Sequence, residues 1–588
     1  MMSDKMKEPI AIIGIGCRFP GGVDSPDAFW DTLINEREMI REVPRDRFDL
    51  DTYYDSTPAT PGKVMSRWGG YLDRIDQLDA SFFGISPHEA ARLDPQQRLL
   101  LEVTWEALED AGQLPDTPAT QQTGVFVGMW LNDFEARLFE DPSHVDFYMT
   151  TGSGRYSASG RLSFAFGLQG PSITIDSACS SSLAAVHLAV QSLRSGECNL
   201  ALAGGANVIL QPHITIAYSQ SKMMAPDGHC KFGDAAADGY VRSEGAAMIA
   251  LKRLSDALAD GDPIYALIRG SAVNNDGKSS GFLATPGSAG QEEMLRKAYA
   301  AAEVSPGAVQ YVEAHGTGTN AGDPVEIGAL GRVLATDRPA DRPCMLGSVK
   351  TNFGHTEGAA GVAGLIKVAL SLRHGMLPAS LHLKQPSPKI PWDELPVRIQ
   401  SQLTPWPTHE GPALGGVSSF GIAGTNAHIV LQEAPPEAPA RPAQKTTVVL
   451  PLSAHTPEAV RALAGAYRDF LTAENAPDLY DVAYTASIRR THHEYRMAVA
   501  GRTPAELAQQ LEARLHDAGA VRQVSADLPR VVFVFPGQGG QWVGMARRLL
   551  ENEPVFRETI EACEAAMQPL VDWSLRGNCR YRLPHRCP

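Results

Sequence analysis

The sequence predicts an α/β fold with largely buried sheets, and three observations carry that reading. Short apolar runs alternate with helical segments from residue 10 to residue 431. The composition is that of a globular protein, 43% hydrophobic and 20% charged, so global disorder is unfavourable. The 588 residues span several domain-lengths at about 150 residues each.

Taken in order, the charged stretch Met1–Lys7 leads into the apolar run Ile10–Ile15. That run is too short for a signal-peptide core, and Gly16-Cys17-Arg18 follows it, so it reads as a buried first strand. Further strands are expected at Gly124–Gly128, Leu200–Ala203, Met248–Leu251, Ala266–Arg269, Tyr311–Glu313 and Ala427–Leu431. Helices are expected at Pro95–Ala111, Ser180–Leu193 and Gly290–Ala302. No short-period repeat is visible, and a diverged duplication of two halves would not show at this level. Ala434–Ala443 reads APPEAPARPA, a proline-rich linker or surface wrap. Beyond it, Thr456-Pro457 opens a helix as N-cap and first residue. Thr503-Pro-Ala-Glu506 is a capping box ahead of Leu507, Leu511 and Leu515. Val531–Phe535 reads as a buried strand ending at Pro536-Gly537. Residues 576–588 (RGNCRYRLPHRCP) are off-pattern, as an altered reading frame near Leu575 or a natural tail would be.

Several function classes fall away. A net charge of −15 argues against a general polyanion binder, so no nucleic-acid partner is expected. No apolar run approaches the roughly 18 residues of a membrane helix. The eight cysteines form no CxxC pair, and their scatter fits reduced thiols in a cytosol, with no metal site implied. Gly14-Ile-Gly16 lacks the third glycine of a dinucleotide fingerprint, and Asn274–Ser279 lacks the first glycine of a phosphate loop. No GxSxG nucleophile elbow occurs.

Four segments could carry chemistry. In Asp176-Ser-Ala-Cys179-Ser-Ser-Ser-Leu183 the cysteine lies between the strand Ile173–Ile175 and a helix. Free N–H groups and the positive dipole end there would lower the thiol pKa and could hold an oxyanion. The competing reading is a buried structural cysteine. Val312-Glu-Ala-His315-Gly-Thr-Gly-Thr319 ends a strand on a histidine flanked by glycines; it either acts on a substrate or simply packs. Ser348-Val-Lys350-Thr-Asn-Phe-Gly-His355-Thr-Glu-Gly-Ala-Ala-Gly361 sets a second histidine before a helix of small residues. Lys350 either serves the site's electrostatics or sits on the surface. Gly415–His428 is a glycine-rich turn entering a strand; Phe420 either gates a pocket or belongs to the core, and His428 reads as structural. One cysteine and two histidines without an acidic triad partner suggest a thiol acyl enzyme that works on carbon–carbon bonds beside a thioester.

Together these segments resemble the ketosynthase domain (β-ketoacyl synthase) of type I polyketide synthases. DSACSSS, EAHGTGT, NFGHTEGAAG and SSFGIAGTNAH occur in that family's order. Glu8–Gly22, Leu93–Arg98 and Asp238–Gly245 add to the match, which covers about residues 8–432. The resemblance implies a thiolase-like fold of two stacked α/β halves, 1–265 and 266–432, usually homodimeric. Residues 433–530 resemble the small α/β linker domain that precedes an acyltransferase. Residues 531–575, with Phe535-Pro-Gly-Gln-Gly-Gly-Gln-Trp542, resemble a truncated acyltransferase start that lacks its serine motif and most of its core partners.

The family's mechanism implies roles for individual residues. Cys179 takes an acyl chain from acyl carrier protein, and its N–H and that of Phe420 form an oxyanion hole. His315 and His355 bind a malonyl-type thioester through decarboxylation, and Lys350 organises them. Thr317 and Thr319 contact the pantetheine arm. Phosphopantetheine comes on the carrier protein, and no bound cofactor or metal is expected. The competing expectation is a non-catalytic fragment acting only in dimerisation. A degradative thiolase would need a second catalytic cysteine within 415–428, which holds none.

Overall fold

The computed structural model describes residues 7–580 apart from 116, 279–282, 408–409, 437–446, 518, 525–531, 536, 538–541 and 543. It divides into two units, 1–523 and 524–588.

The first unit holds an eleven-stranded sheet. Its strands are β1 (Ile10–Arg18), β2 (Thr123–Gly128), β3 (Ser172–Ile175), β4 (Leu200–Asn207), β5 (Gly245–Arg253), β6 (Ala266–Asn275), β7 (Tyr311–Glu313), β8 (Cys344–Gly347), β9 (Val397–Ile399), β10 (Leu414–Phe420) and β11 (Thr425–Glu433). Their spatial order is β9-β8-β7-β10-β11-β6-β1-β5-β4-β2-β3. Read from the middle outward, the two halves have the same topology. In each, the first strand pairs antiparallel with the fifth, the fifth antiparallel with the fourth, and the fourth, second and third run parallel. The antiparallel pair β1–β6 joins them, and β9 is added at one edge. The duplication that the sequence conceals is thus explicit in the strand order.

Helices cover the sheet halves in layers. They are α1 (Pro95–Asp110), α2 (Ser181–Ser195), α3 (Ser288–Ala302), α4 (Gly322–Leu334), α5 (Lys350–Phe353) and α6 (Ala360–His374). Helix α1 packs on β1 and β5, and α3 on β6, β11 and α4. Helices α2 and α6 pack on each other and on strands of both halves. Three apolar cores correspond to these layers. The central one joins Leu183, Val186 and Val190 of α2 to Val362, Leu365 and Val368 of α6. The outer two hold Leu100 and Val103 of α1, and Met294 and Leu295 of α3. Each such fully buried aliphatic side chain contributes about 1.5–3 kcal/mol. Small residues set the central spacing: a Cβ on Gly361 would lie 2.6 Å from Leu183 Cβ and 2.8 Å from its backbone nitrogen.

Several expectations are corrected. The glycine-rich segment from Gly415 is not a turn; it is buried strand β10, paired with β11 in a hairpin. Strands β8 and β9 had no expectation at all, being only four and three residues long, too short for a visible apolar pattern. Beyond β11, a three-stranded sheet (Val448–Ala454, Tyr495–Gly501, Arg522–Gln523) carries helices Pro457–Thr472 and Pro504–Leu515. Thr456 and Thr503 cap them as expected, and Glu506 reaches back to the N–H of Arg502, 2.7 Å away. Most of the expected proline-rich linker, 437–443, lies outside the described residues.

In the second unit, helices Arg547–Asn552, Pro554–Met567 and Leu575–Arg580 are described. The expected strand Val531–Phe535 is not formed. Val531 lies outside the described residues, and Val532–Phe535 is irregular, with each side chain 79–89% exposed. A strand is stabilised by its neighbours, and this unit offers none among its described residues. The off-pattern tail begins as helix; residues 581–588 lie outside the described residues.

Candidate active site

Cys179 sits in a 3-10 turn, Ala178–Ser180, between β3 and α2. Ala178 holds φ +55, a left-handed conformation that costs a non-glycine residue about 1 kcal/mol or more. The serines of DSACSSS fasten this turn. Ser181 Oγ accepts from the Ser177 N–H (2.9 Å) and donates to the Ala178 carbonyl (2.6 Å). Ser419 of β10 donates to the Cys179 carbonyl at 2.7 Å, and Ser182 Oγ accepts from the Val362 N–H at 3.1 Å. The second half repeats the turn. Glu357, at φ +42, opens a 3-10 turn ahead of α6, and α2 and α6 are each 15 residues long and end at a left-handed glycine. Gly358 therefore occupies the place that Cys179 holds in the first half.

Cys179, His315, Thr317, Thr319, His355 and Phe420 all line one cavity of about 330 Å³. The sequence expectations thus converge in space. The histidine rings lie 5.2 Å apart, and His315 lies 5.5 Å from the Phe420 ring. His428 does not reach the cavity; it is buried with Nδ1 2.9 Å from Ser418 Oγ.

The tautomers of the two histidines follow from their partners. The Phe420 N–H donates to His315 Nδ1 at 3.3 Å, and the Glu357 N–H donates to His355 Nδ1 at 3.1 Å. With Nδ1 accepting, a neutral ring carries its proton on Nε2. Burial, reinforced by the Lys350 charge, holds both imidazoles well below their ordinary pKa. Both are therefore neutral donors at physiological pH. His355 Nε2 is buried with no hydrogen-bond partner among the described residues, so its N–H is available to a substrate.

Two corrections concern charge. The helix end does not bring the Cys179 thiol down overall. Burial, and then the Glu357 carboxylate, push it up to about 12, against the opposing pull of Lys350, its own N–H and Arg242. The side chain is partly accessible only because it faces the cavity. Lys350 is neither on the surface nor at the cavity wall; it is buried behind the site.

Sequence reasoning missed the carboxylates that hold the loops. Glu326 of α4 accepts from the N–H groups of His315 (2.7 Å) and Gly316 (2.8 Å). Asp323 accepts from Gly318 (3.1 Å), Thr319 (3.3 Å) and Gly233 (2.9 Å). Burial pushes each carboxyl up to about 7. Glu357 forms a buried two-pronged ion pair with Arg242, at 2.6 and 2.8 Å, and accepts from Asn207 at 3.0 Å. One signal was present: Asp323 and Glu326 fall in the first turns of a helix directly after the His315–Thr319 motif.

A two-fold-repeated α/β fold with a cysteine and two histidines on one cavity defines the thiolase-like condensing class. Sequence profiles agree in order: β-ketoacyl synthase N-terminal domain over 7–257, its C-terminal domain over 265–384, the ketoacyl-synthetase C-terminal extension over 386–499, and acyl transferase domain over 532–577. Polyketide synthase GfsA of Streptomyces halstedii is 45% identical over 577 residues, 97% of this chain and 8% of that protein. Erythronolide synthase EryA2 of Saccharopolyspora erythraea is 46% identical over 572 residues, 97% of this chain and 16% of that protein. The chain thus spans a sixth or less of the length of these relatives. The oxazolomycin ketosynthase domain OzmH KS7 of Streptomyces albus superposes with a TM-score of 0.82 at 37% identity, over 89% of this chain and 91% of that one. The module 6 ketosynthase of the Bacillus subtilis bacillaene synthase superposes with a TM-score of 0.78 at 33% identity, over 98% and 97%. This chain belongs to the β-ketoacyl synthase family, as a ketosynthase of the type I polyketide synthase kind followed by part of an acyltransferase domain. These relatives do not favour the inert-fragment alternative.

Proposed function

We propose that the chain extends an acyl group by decarboxylative condensation, with Cys179 as nucleophile and His315 and His355 as paired oxyanion donors. Acyl transfer from a carrier-protein thioester forms the Cys179 Sγ–acyl bond and breaks the carrier C–S bond. The thiol proton leaves on the carrier thiol. The Cys179 N–H faces the acyl oxygen. The Phe420 N–H, in a long bond to His315, has room to share a second acceptor. A malonyl-type extender on a carrier phosphopantetheine arm then passes Thr317 and Thr319 and sets its thioester carbonyl on the two Nε2–H groups. Loss of CO₂ leaves the electron pair of the broken C–C bond as an enolate, which those donors stabilise. The carbanion attacks acyl-Cys179, forms the new C–C bond and expels the cysteine thiolate, which takes a proton from solvent to restore the thiol. The balance closes without oxidant or reductant. Lys350 acts through electrostatics, keeping the histidines neutral.

The observation that carries this reading is the matched pair of Nδ1 atoms held by backbone N–H groups, which turns both Nε2–H groups into donors. The homodimer belongs to the same proposal. Strand β3 is an open sheet edge with Ile173 exposed, and the adjoining helix Ser157–Ala165 leaves Phe164 89% exposed, as a face covered by a second copy would. So do the domain limits at 265, 432, 530 and 575, and a cytoplasmic setting. No helix among the described residues is long and apolar enough to cross a membrane. The test is intact mass after incubation with a short acyl thioester, on wild type and Cys179→Ala. An adduct on wild type alone supports the reading; an equal adduct on both, or none on wild type across chain lengths, overturns it.

A further inference from the structure

We propose that Glu38, His229 and His382 form a divalent transition-metal site, best suited to Zn²⁺, that clips together the chain segments packed around helix α5, which carries Lys350. His229 Nδ1 lies 2.8 Å and His382 Nε2 lies 3.0 Å from the same oxygen, Glu38 Oε1, and the imidazole rings are 4.4 Å apart. All three ligand atoms fall within 4.8 Å of one another. Ligand atoms on a tetrahedral Zn²⁺, with bonds of 2.0–2.1 Å, sit about 3.3 Å apart, so each Glu38–histidine pair needs to open by only a few tenths of an ångström. Two imidazole nitrogens and one carboxylate oxygen suit a borderline metal and leave a fourth position for water. The side chains of His229, Glu38 and His382 are 41%, 22% and 20% exposed, so solvent supplies both an entry route and that water.

The site is distinct from the reaction cavity, since none of the three residues lines it. Two of the three ligand segments are fastened to α5. The Met39 N–H donates to the Asn352 carbonyl (2.7 Å), and Asn352 Nδ2 donates to the Arg37 carbonyl (3.1 Å). The Leu381 N–H, beside His382, donates to Thr351 Oγ1 at 3.0 Å. On the third segment, Cys230 Sγ, beside His229, accepts from the Val241 N–H, and the Val241 carbonyl accepts from the His355 N–H at 2.7 Å. A metal here would cross-link three segments distant in sequence, much as a disulfide would, around the helix that carries Lys350. Because the ligands stand at 38, 229 and 382, no metal-ligand spacing is visible in the sequence.

The test titrates Co²⁺, then Zn²⁺ as competitor, into chelator-treated full-length protein, following ligand-field absorption and melting temperature. The expected result is one equivalent of Co²⁺ per chain with intense visible bands, displaced by Zn²⁺, and a Zn²⁺-dependent rise in melting temperature. Both are lost in His229→Ala and His382→Ala and weakened in Glu38→Gln. Absence of stoichiometric Co²⁺ bands in wild type overturns the proposal, as does an unchanged spectrum in the His382→Ala and His229→Ala variants. Where an alanine variant fails to fold, His382→Asn and Glu38→Gln are read instead, and retention of the wild-type spectrum in both overturns it.

Discussion

The backbone N–H of Glu357 donates to Nδ1 of His355 at 3.1 Å, and that single bond decides which nitrogen faces the cavity. Glu357 is itself placed by the buried Arg242, so the chemistry of His355 depends on an ion pair on the far side of the turn. The expected outcome is that both His315 and His355 stay neutral Nε2–H tautomers at pH 6, where a free imidazole of pKa about 6.5 is mostly charged. Imidazole ¹⁵N–¹H correlation spectra check this; a doubly protonated ring at pH 6 would count against it.

The raised thiol pKa of Cys179 predicts slow alkylation that keeps accelerating with pH. Only the thiolate reacts, so the rate of iodoacetamide modification climbs through pH 9 without a plateau. A plateau below pH 8 would mean an activated resting thiolate. On the present account, activation waits for the substrate to complete the site.

Glu326 gives a pH-dependent prediction with a definite sign. Its folded pKa, about 7, lies above the unfolded value, so the folded chain holds a proton that the unfolded chain releases between pH 4.5 and 7. Wild type therefore loses stability relative to Glu326→Gln as pH rises across that window, by on the order of 3 kcal/mol. The Gln variant, with one acceptor oxygen for two N–H groups, starts less stable at pH 5. The gap narrows or reverses by pH 8, as paired melting curves would show.

Gly361→Ala tests the contact between the two central helices. The added Cβ meets Leu183, four residues from Cys179, at 2.6 Å. Overpacking of this kind costs about 1–3 kcal/mol. The variant is expected to melt lower and to acylate more slowly, because α2 and its nucleophile turn must shift. Unchanged acylation would mean that the turn is insulated from the helix contact.

Strands such as Ile10–Arg18 and Tyr311–Glu313, and the helix after Cys179, were legible because apolar runs and caps are local signals. So were Cys179 and His315, each just after a strand, and His355, between the short helix Lys350–Phe353 and the turn ahead of α6. Strand β10 was not, because its adjacent Gly415 and Gly416, with Gly421 just beyond, read as a turn until burial between β7 and β11 explains the pair as close approaches. The thiol pKa was misread because a helix end is visible in sequence while the neighbouring Glu357 and the enclosing protein are not. The internal duplication is a matter of strand order, which no single residue carries.

The measurement that tests the central claim most directly is CO₂ release from malonyl carrier protein by His315 and His355 variants. If both imidazoles act as neutral hydrogen-bond donors, alanine at either position lowers the rate by about 10²–10³-fold. Glutamine, whose amide can still donate, then retains more activity than alanine. Full activity in the alanine variants, or glutamine no better than alanine, would contradict the account.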